Sequence, residues 1–194
     1  MVSTVKVTNI DTPDNTGNIT FDRPIVGDGS GLTSVGKVLQ MVSTTSTFSG
    51  TAISSSNNTW TTTSVLITFT PLSSTSKFLV HFGIGASITN DTDDGGYGYQ
   101  IKKVQSATTT YPSGLTDDRG GGNNHARRYF YSSNISSMNN WHAYDTFSGV
   151  DADAHTTASM TYTIEASQFN LGSTLSVGNG FCARPQIIVM EVEV

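Results

Sequence analysis

Apolar and polar residues alternate along most of the chain with a period of two. That is the repeat of an extended strand, whose successive side chains point to opposite faces. The longest run is Lys77 to Thr89, where Phe78, Val80, Phe82, Ile84, Ala86 and Ile88 fall on one side. Lys77, His81, Gly83, Gly85, Ser87 and Thr89 fall on the other, with Leu79 the exception. Ala158, Met160, Tyr162, Ile164 and Ala166 alternate in the same way with Ser159, Thr161, Thr163 and Glu165. Val65, Ile67 and Phe69 repeat the pattern before Pro71, and Ile188, Met190, Val192 and Val194 read as the apolar face of a last strand. Further strands are expected near residues 37–47, 97–104, 127–133 and 141–148. No long stretch carries the three-and-four spacing of an amphipathic helix. About eight or nine strands separated by Gly, Ser, Asn and Asp clusters predict an all-β chain, an antiparallel β-sandwich of jelly-roll type.

The first 36 residues break this pattern. Val5, Val7, Ile10, Ile19, Phe21 and Ile25 are too few and too dispersed to form a core of their own. Turn-rich breaks separate them at Asp11–Gly17 and Gly27–Gly31. Residues 1–36 are therefore expected to be an extended arm that anchors the chain and joins copies, with those six residues as its contacts. Residues 37–194 are expected to form the sandwich. A second irregular stretch, about 105–126, carries Gly120-Gly121-Gly122-Asn123-Asn124 and is expected to protrude as a loop.

Composition narrows the function classes. Charged residues make up 13% of the 194, Ser and Thr more than a quarter, and Cys182 is the single cysteine. One cysteine forms no intrachain disulfide and no cysteine zinc site. A net charge of −5 argues against a nucleic-acid partner, which calls for a basic face. No apolar run approaches the roughly 18 residues of a membrane span, so no membrane insertion is expected. The N-terminal residues lack the apolar core of a signal peptide, while the hydroxyl-rich composition suits a surface outside cells. Virion proteins, released by lysis, combine these two properties.

Several motifs point the same way. Gly36-Lys37-Val38-Leu39-Gln40-Met41-Val42-Ser43-Thr44-Thr45 is followed by the Thr-rich Thr59-Trp60-Thr61-Thr62-Thr63. Then come an alternating strand from Ile67, the turn Pro71-Leu72-Ser73-Ser74-Thr75-Ser76 and the long apolar strand from Lys77. The chain closes on Ile187-Ile188-Val189-Met190-Glu191-Val192. Together these resemble a domain recurring in tailed-bacteriophage virion fibre and appendage proteins. Gly17-Asn18-Ile19-Thr20-Phe21 and Gly27-Asp28-Gly29-Ser30-Gly31-Leu32-Thr33 look like connector motifs of phage fibres. The resemblance covers both ends and about half of the chain, and residues 90–155 depart from it. It implies a virion component, often a homotrimer, and no particular receptor.

Candidate chemistry is sparse. Asp91, Asp93 and Asp94 have carboxylates at a spacing that suits a Ca²⁺ ion, but the plainer reading is a polar hairpin turn. His125, His142 and His155 include no pair at local metal-ligand spacing. Asp151-Ala152-Asp153-Ala154-His155 suggests a carboxylate–His pair, yet no nucleophile elbow or phosphate loop accompanies it. No catalytic residue, metal or cofactor is therefore expected. The middle of the chain concentrates rings and cations, and His125, Arg127, Arg128, Tyr97, Tyr129 and Trp141 are the expected receptor-binding residues. The alternative for some of these rings is the sandwich core, since Tyr97, Tyr99 and Ile101 share one face. The expected protein is a trimeric tail fibre or appendage in the virion, bound to other virion proteins through its arm and to a host-surface glycan through its loops. A capsid-decorating head fibre and a lectin-like glycan-binding domain are the alternatives.

Overall fold

The computed structural model describes residues 37–44, 50–53, 59–88, 95–115, 127–130, 141–169, 174–178 and 184–193. For Gly95, Trp141, Phe169 and the strand at 127–130 it describes the backbone alone. The chain divides into two units, Met1–Val35 and Gly36–Val194. The first of these, with the expected anchoring residues Val5, Val7, Ile10, Ile19, Phe21 and Ile25, lies outside the described residues.

The second unit is all-β. Its strands are β1 (Val38–Ser43), β2 (Thr51–Ile53), β3 (Thr61–Phe69), β4 (Lys77–Ile88), β5 (Gly95–Gln105), β6 (Thr108–Thr110), β7 (Arg127–Phe130), β8 (Trp141–Asp151), β9 (Met160–Phe169), β10 (Leu175–Val177) and β11 (Gln186–Val192). All pairings are antiparallel. Three strand lines are interrupted. β11 and β10 lie end to end along the same edge of β4, against Lys77–Gly83 and Ala86–Ile88. β1 and β2 continue one another beside them, and β6 and β7 do the same along β5. Joining these segments leaves eight lines in two sheets, β8–β4–β10/β11–β1/β2 and β6/β7–β5–β9–β3. Every connection between lines crosses from sheet to sheet except the β5–β6 hairpin. That connectivity is the double Greek key of a jelly roll.

The alternating residues fill the space between the sheets. Phe78, Val80, Ile84, Ala86 and Ile88 of β4 are fully buried against Val65 of β3 and Met160, Tyr162, Ile164 and Ala166 of β9. Each large apolar side chain so buried stabilises the fold by about 1.5–3 kcal/mol relative to exposure. At one end Phe78 meets Phe69 edge-on at 5.4 Å, and midway along the strands Phe82 and Tyr99 both contact Phe147.

Two expectations need correction. The core face of β11 is Ile187, Val189 and Glu191, opposite Phe82, Val80 and Phe78, so Ile188, Met190 and Val192 lie on the outer face. Residues 187–190 are apolar on both faces, and period two alone gives no phase there. Of the stretch 105–126, the described part, residues 105–115, carries regular structure rather than a loop throughout. Ser106 and Ala107, at φ of 50° and 63°, form a two-residue turn into β6. Farther on, a 3-10 turn at Ser113–Leu115 lies against β8, with Gly114 so close to the Val150 carbonyl that a side chain would collide.

Two positive-φ residues in a two-residue hairpin make a type I′ turn, whose twist matches that of the strands. Neither residue is Gly or Asn, and left-handed backbone costs an ordinary L-residue about 1–2 kcal/mol. Ser106→Asn combined with Ala107→Gly is therefore expected to raise the unfolding free energy by about 1 kcal/mol. The check is a higher urea midpoint at unchanged slope.

Candidate functional site

Lys103, Asp145, Asp151, Glu165 and Glu191 are buried in the sandwich, and such groups need partners. Glu191 stands on the core face of β11, where a carboxylate is costly unless fully bonded. The turn at residues 71–76 winds around it. Leu72 and Ser73 donate backbone N–H groups at 3.0 Å, and Ser76 Oγ donates at 2.6 Å. Gln40 Nε2 on β1 donates as well. Burial pushes the Glu191 pKa up, but the bonds from Ser76, Leu72, Gln40 and Ser73 outweigh it and hold the carboxyl below its ordinary range. The two halves of the fibre-like pattern, the Pro71–Ser76 turn and the Met190-Glu191 ending, thus meet in one polar cage.

A second cluster sits nearby, where β8 ends. Asp151 is fully buried and accepts from Lys103 Nζ at 2.8 Å, from the Tyr162 hydroxyl and from the Asp153 backbone N–H. His155 lies over Phe78 at 4.6 Å, with Nε2 at 2.9 Å from the Ser73 carbonyl. The pairing suggested by Asp151, Asp153 and His155 is therefore not formed between their side chains. Asp151 serves Lys103 and Tyr162, Asp153 binds Ser113, and His155 holds the 71–76 turn.

A cleft of about 290 Å³ opens beside this cluster, lined by Lys103, Gln105, Ser106, Thr108, Thr110 and His155 among others. The Gln105 amide is bonded to the backbone of Thr156 and Ala158. Lys103 and His155 are likewise held by structural partners, and the polar groups left along the cleft are mainly hydroxyls of Ser106, Thr108 and Thr110.

Of the residues expected to contact a receptor, only Tyr97 has a described side chain. Tyr97 is corrected: its ring is 0% exposed, its hydroxyl donates to Asp145 Oδ2 at 2.7 Å, and it packs against Tyr99. Tyr97, Tyr99 and Ile101 are in phase with the core face of β5, and burial wins. Arg127, Arg128 and Tyr129 belong to β7, in register with Gly98, Tyr97 and Gly96. Trp141 opens β8 opposite Ile88. β7 therefore ends, and β8 begins, at the end of the sandwich where β4 ends and β5 begins. His125 lies outside the described residues, as do Asp91, Asp93 and Asp94. His142 is exposed near that same end and His155 lies at the opposite one, so these two do not converge. Among the described residues, no group of three or more His, Cys, Asp or Glu is placed to hold a metal ion. No helix there is long and apolar enough to cross a membrane.

Sequence reasoning missed the buried clusters around Glu191 and Asp151. A signal was present for Lys103, which continues the inward phase of Tyr97, Tyr99 and Ile101 and so had to find a counter-charge.

These features define the class: an antiparallel jelly-roll β-sandwich whose buried charges bind its own connections together. In comparisons with known proteins, the chain matches no family model and no curated sequence.

Proposed function

We propose that the chain is a virion structural protein of a tailed phage, an oligomeric fibre or appendage that attaches to a host surface without covalent chemistry. The observation that carries this reading is the jelly-roll sandwich with its buried ionisable groups engaged in structural bonds. Jelly rolls recur in capsid and lectin domains, where they act by binding, and this support is by analogy of fold. The fibre-like motifs add to it, because the turn and terminal strand that carry the resemblance are the pieces that cage Glu191. β1 enters the sandwich at the Glu191 end, leaving the opposite end, with Trp141 and the close of β7, for recognition. Three copies would multiply weak contacts into useful avidity.

The test is made on particles. Mass spectrometry of purified virions is expected to find the chain, and antibody labelling to place it on the tail. Labels spread over the head would favour the capsid-decorating alternative, and absence from virions would overturn the reading. Alanine at His125, Arg127 and Arg128 together is expected to weaken host attachment several-fold without changing the oligomer mass. Any ionic share of that attachment should fade with salt, since exposed charges are screened within about 10 Å at 0.1 M.

A further inference from the structure

The outer face of the β8–β4–β11–β1 sheet carries a row of apolar side chains across all four strands. Register places Met41 opposite Met190, Met190 opposite Leu79, and Leu79 opposite Val150. Met41 is 65% exposed, Leu79 41% and Val150 43%. Val192, with Val38 opposite it, flanks the row on one side, and Ile188 flanks it on the other. Four strands at about 4.8 Å spacing and three such rows at about 6.8 Å give a face of roughly 400 Å². A face of that size is in the range of the largest patch on a typical monomer, which is often functional. The exposed Leu66, by contrast, lies between Thr62 and Thr68 on the outer face of the other sheet.

We infer that this face is the contact between copies of the chain, an inference that rests on the oligomeric reading above. Charge is the first argument for that occupant. The protein carries −5 overall, so two copies repel each other unless their contact keeps carboxylates apart. Across these three rows the only Asp, Glu, Lys or Arg is Lys77, at the margin, so no carboxylates are brought together. Shape is the second argument. The face is an open sheet surface rather than a groove, which fits a broad protein surface better than a peptide or small ligand. Area is the third. A stable interface takes about 800 Å² per partner. The three rows, which hold Ser43, His81 and Ser148 beside Ile188 as well as the apolar residues, supply about half of that, and further polar neighbours such as Gln186 and Thr146 extend it in the manner of an interface rim.

The experiment uses the full-length protein and its native methionines. Peroxide oxidation of Met41 and Met190 is followed by mass spectrometry, since thioether oxidation tracks exposure. In parallel, light scattering gives the mass and thermal melting the fold. Wild type is expected to scatter as a multiple of 20.6 kDa and to oxidise Met41 several-fold more slowly than Leu79→Lys does. Leu79→Lys should keep its melting transition, because the position faces outward, whereas Leu66→Lys should leave both mass and Met41 protection unchanged. An oligomeric wild type with Met41 oxidising as fast as in Leu79→Lys would overturn the face assignment and leave the oligomeric reading standing. A wild type of one-chain mass at micromolar concentration would overturn both. Met41 protected only in assembled virions would assign the face to another virion protein instead.

Discussion

Glu191→Ala is expected to destabilise the sandwich by about 3–5 kcal/mol, the range for removing one partner from a buried charged network. The carboxylate accepts from two backbone N–H groups, the Ser76 hydroxyl and the Gln40 amide. Truncation leaves those donors facing a cavity, each unsatisfied buried group costing about 1–3 kcal/mol. Water entering the cavity, together with relaxation of the 71–76 turn, keeps the total below the simple sum. Glu191→Gln, similar in shape, should cost less, because one oxygen still accepts while the new NH₂ opposes the donors. Urea unfolding of both variants checks the order. A loss under 1 kcal/mol for Glu191→Ala would show that the turn holds without its carboxylate.

The same residue sets a pH dependence. Its hydrogen bonds hold the folded pKa below the ordinary value of 4.5. A group shifted down on folding adds stability above its unfolded pKa and loses it as pH falls through the folded one. Wild type should therefore weaken below about pH 4.5 more steeply than Glu191→Gln, which has no proton to take up there.

Much of the framework was legible because β4 and β9 each carry a continuous apolar face free of charge at a period of two. The phase of β11 was not, since Ile187, Ile188, Val189 and Met190 suit either face. What decides it is Glu191, whose caged carboxylate is fixed by a turn more than a hundred residues earlier in the chain. Tyr97 misled for a related reason: a tyrosine reads as surface or core depending on whether its hydroxyl finds a partner. Asp145 supplies that partner from the opposite sheet, a contact no local pattern predicts. The interrupted strands were equally hidden. Only register shows that β10 and β11, or β6 and β7, are one line with an excursion between them. Of the residues expected to meet a receptor, Arg127, Arg128 and Tyr129 fall in β7 and Trp141 in β8, and only for Tyr97 did periodicity offer a signal, its phase with Tyr99 and Ile101.

Asp151→Asn is the second large expected effect, at about 3–5 kcal/mol of lost stability. Lys103 is on β5 and Asp151 on β8, so their bond ties one sheet to the other. Their side chains are 4% and 0% exposed, respectively. With the carboxylate replaced, the Lys103 ammonium remains buried against a neutral amide. The Tyr162 phenol cannot compensate: burial, and then the Asp151 charge and hydrogen bond, keep its pKa far above the ordinary value, so it acts as a donor. Lys103→Met should be costly for the mirror-image reason, although Tyr162 and the Asp153 N–H still serve the carboxylate. The double variant decides the matter. With both charges gone, Asn at 151 still accepts from Tyr162 and the Asp153 N–H, and Met fills the space of the Lys stem. Its loss should fall at least 2 kcal/mol short of the sum of the single losses, the signature of direct coupling in a double-mutant cycle. Additive losses would mean that the ion pair contributes no coupling, and that the neutral bonds around Asp151 join the sheets.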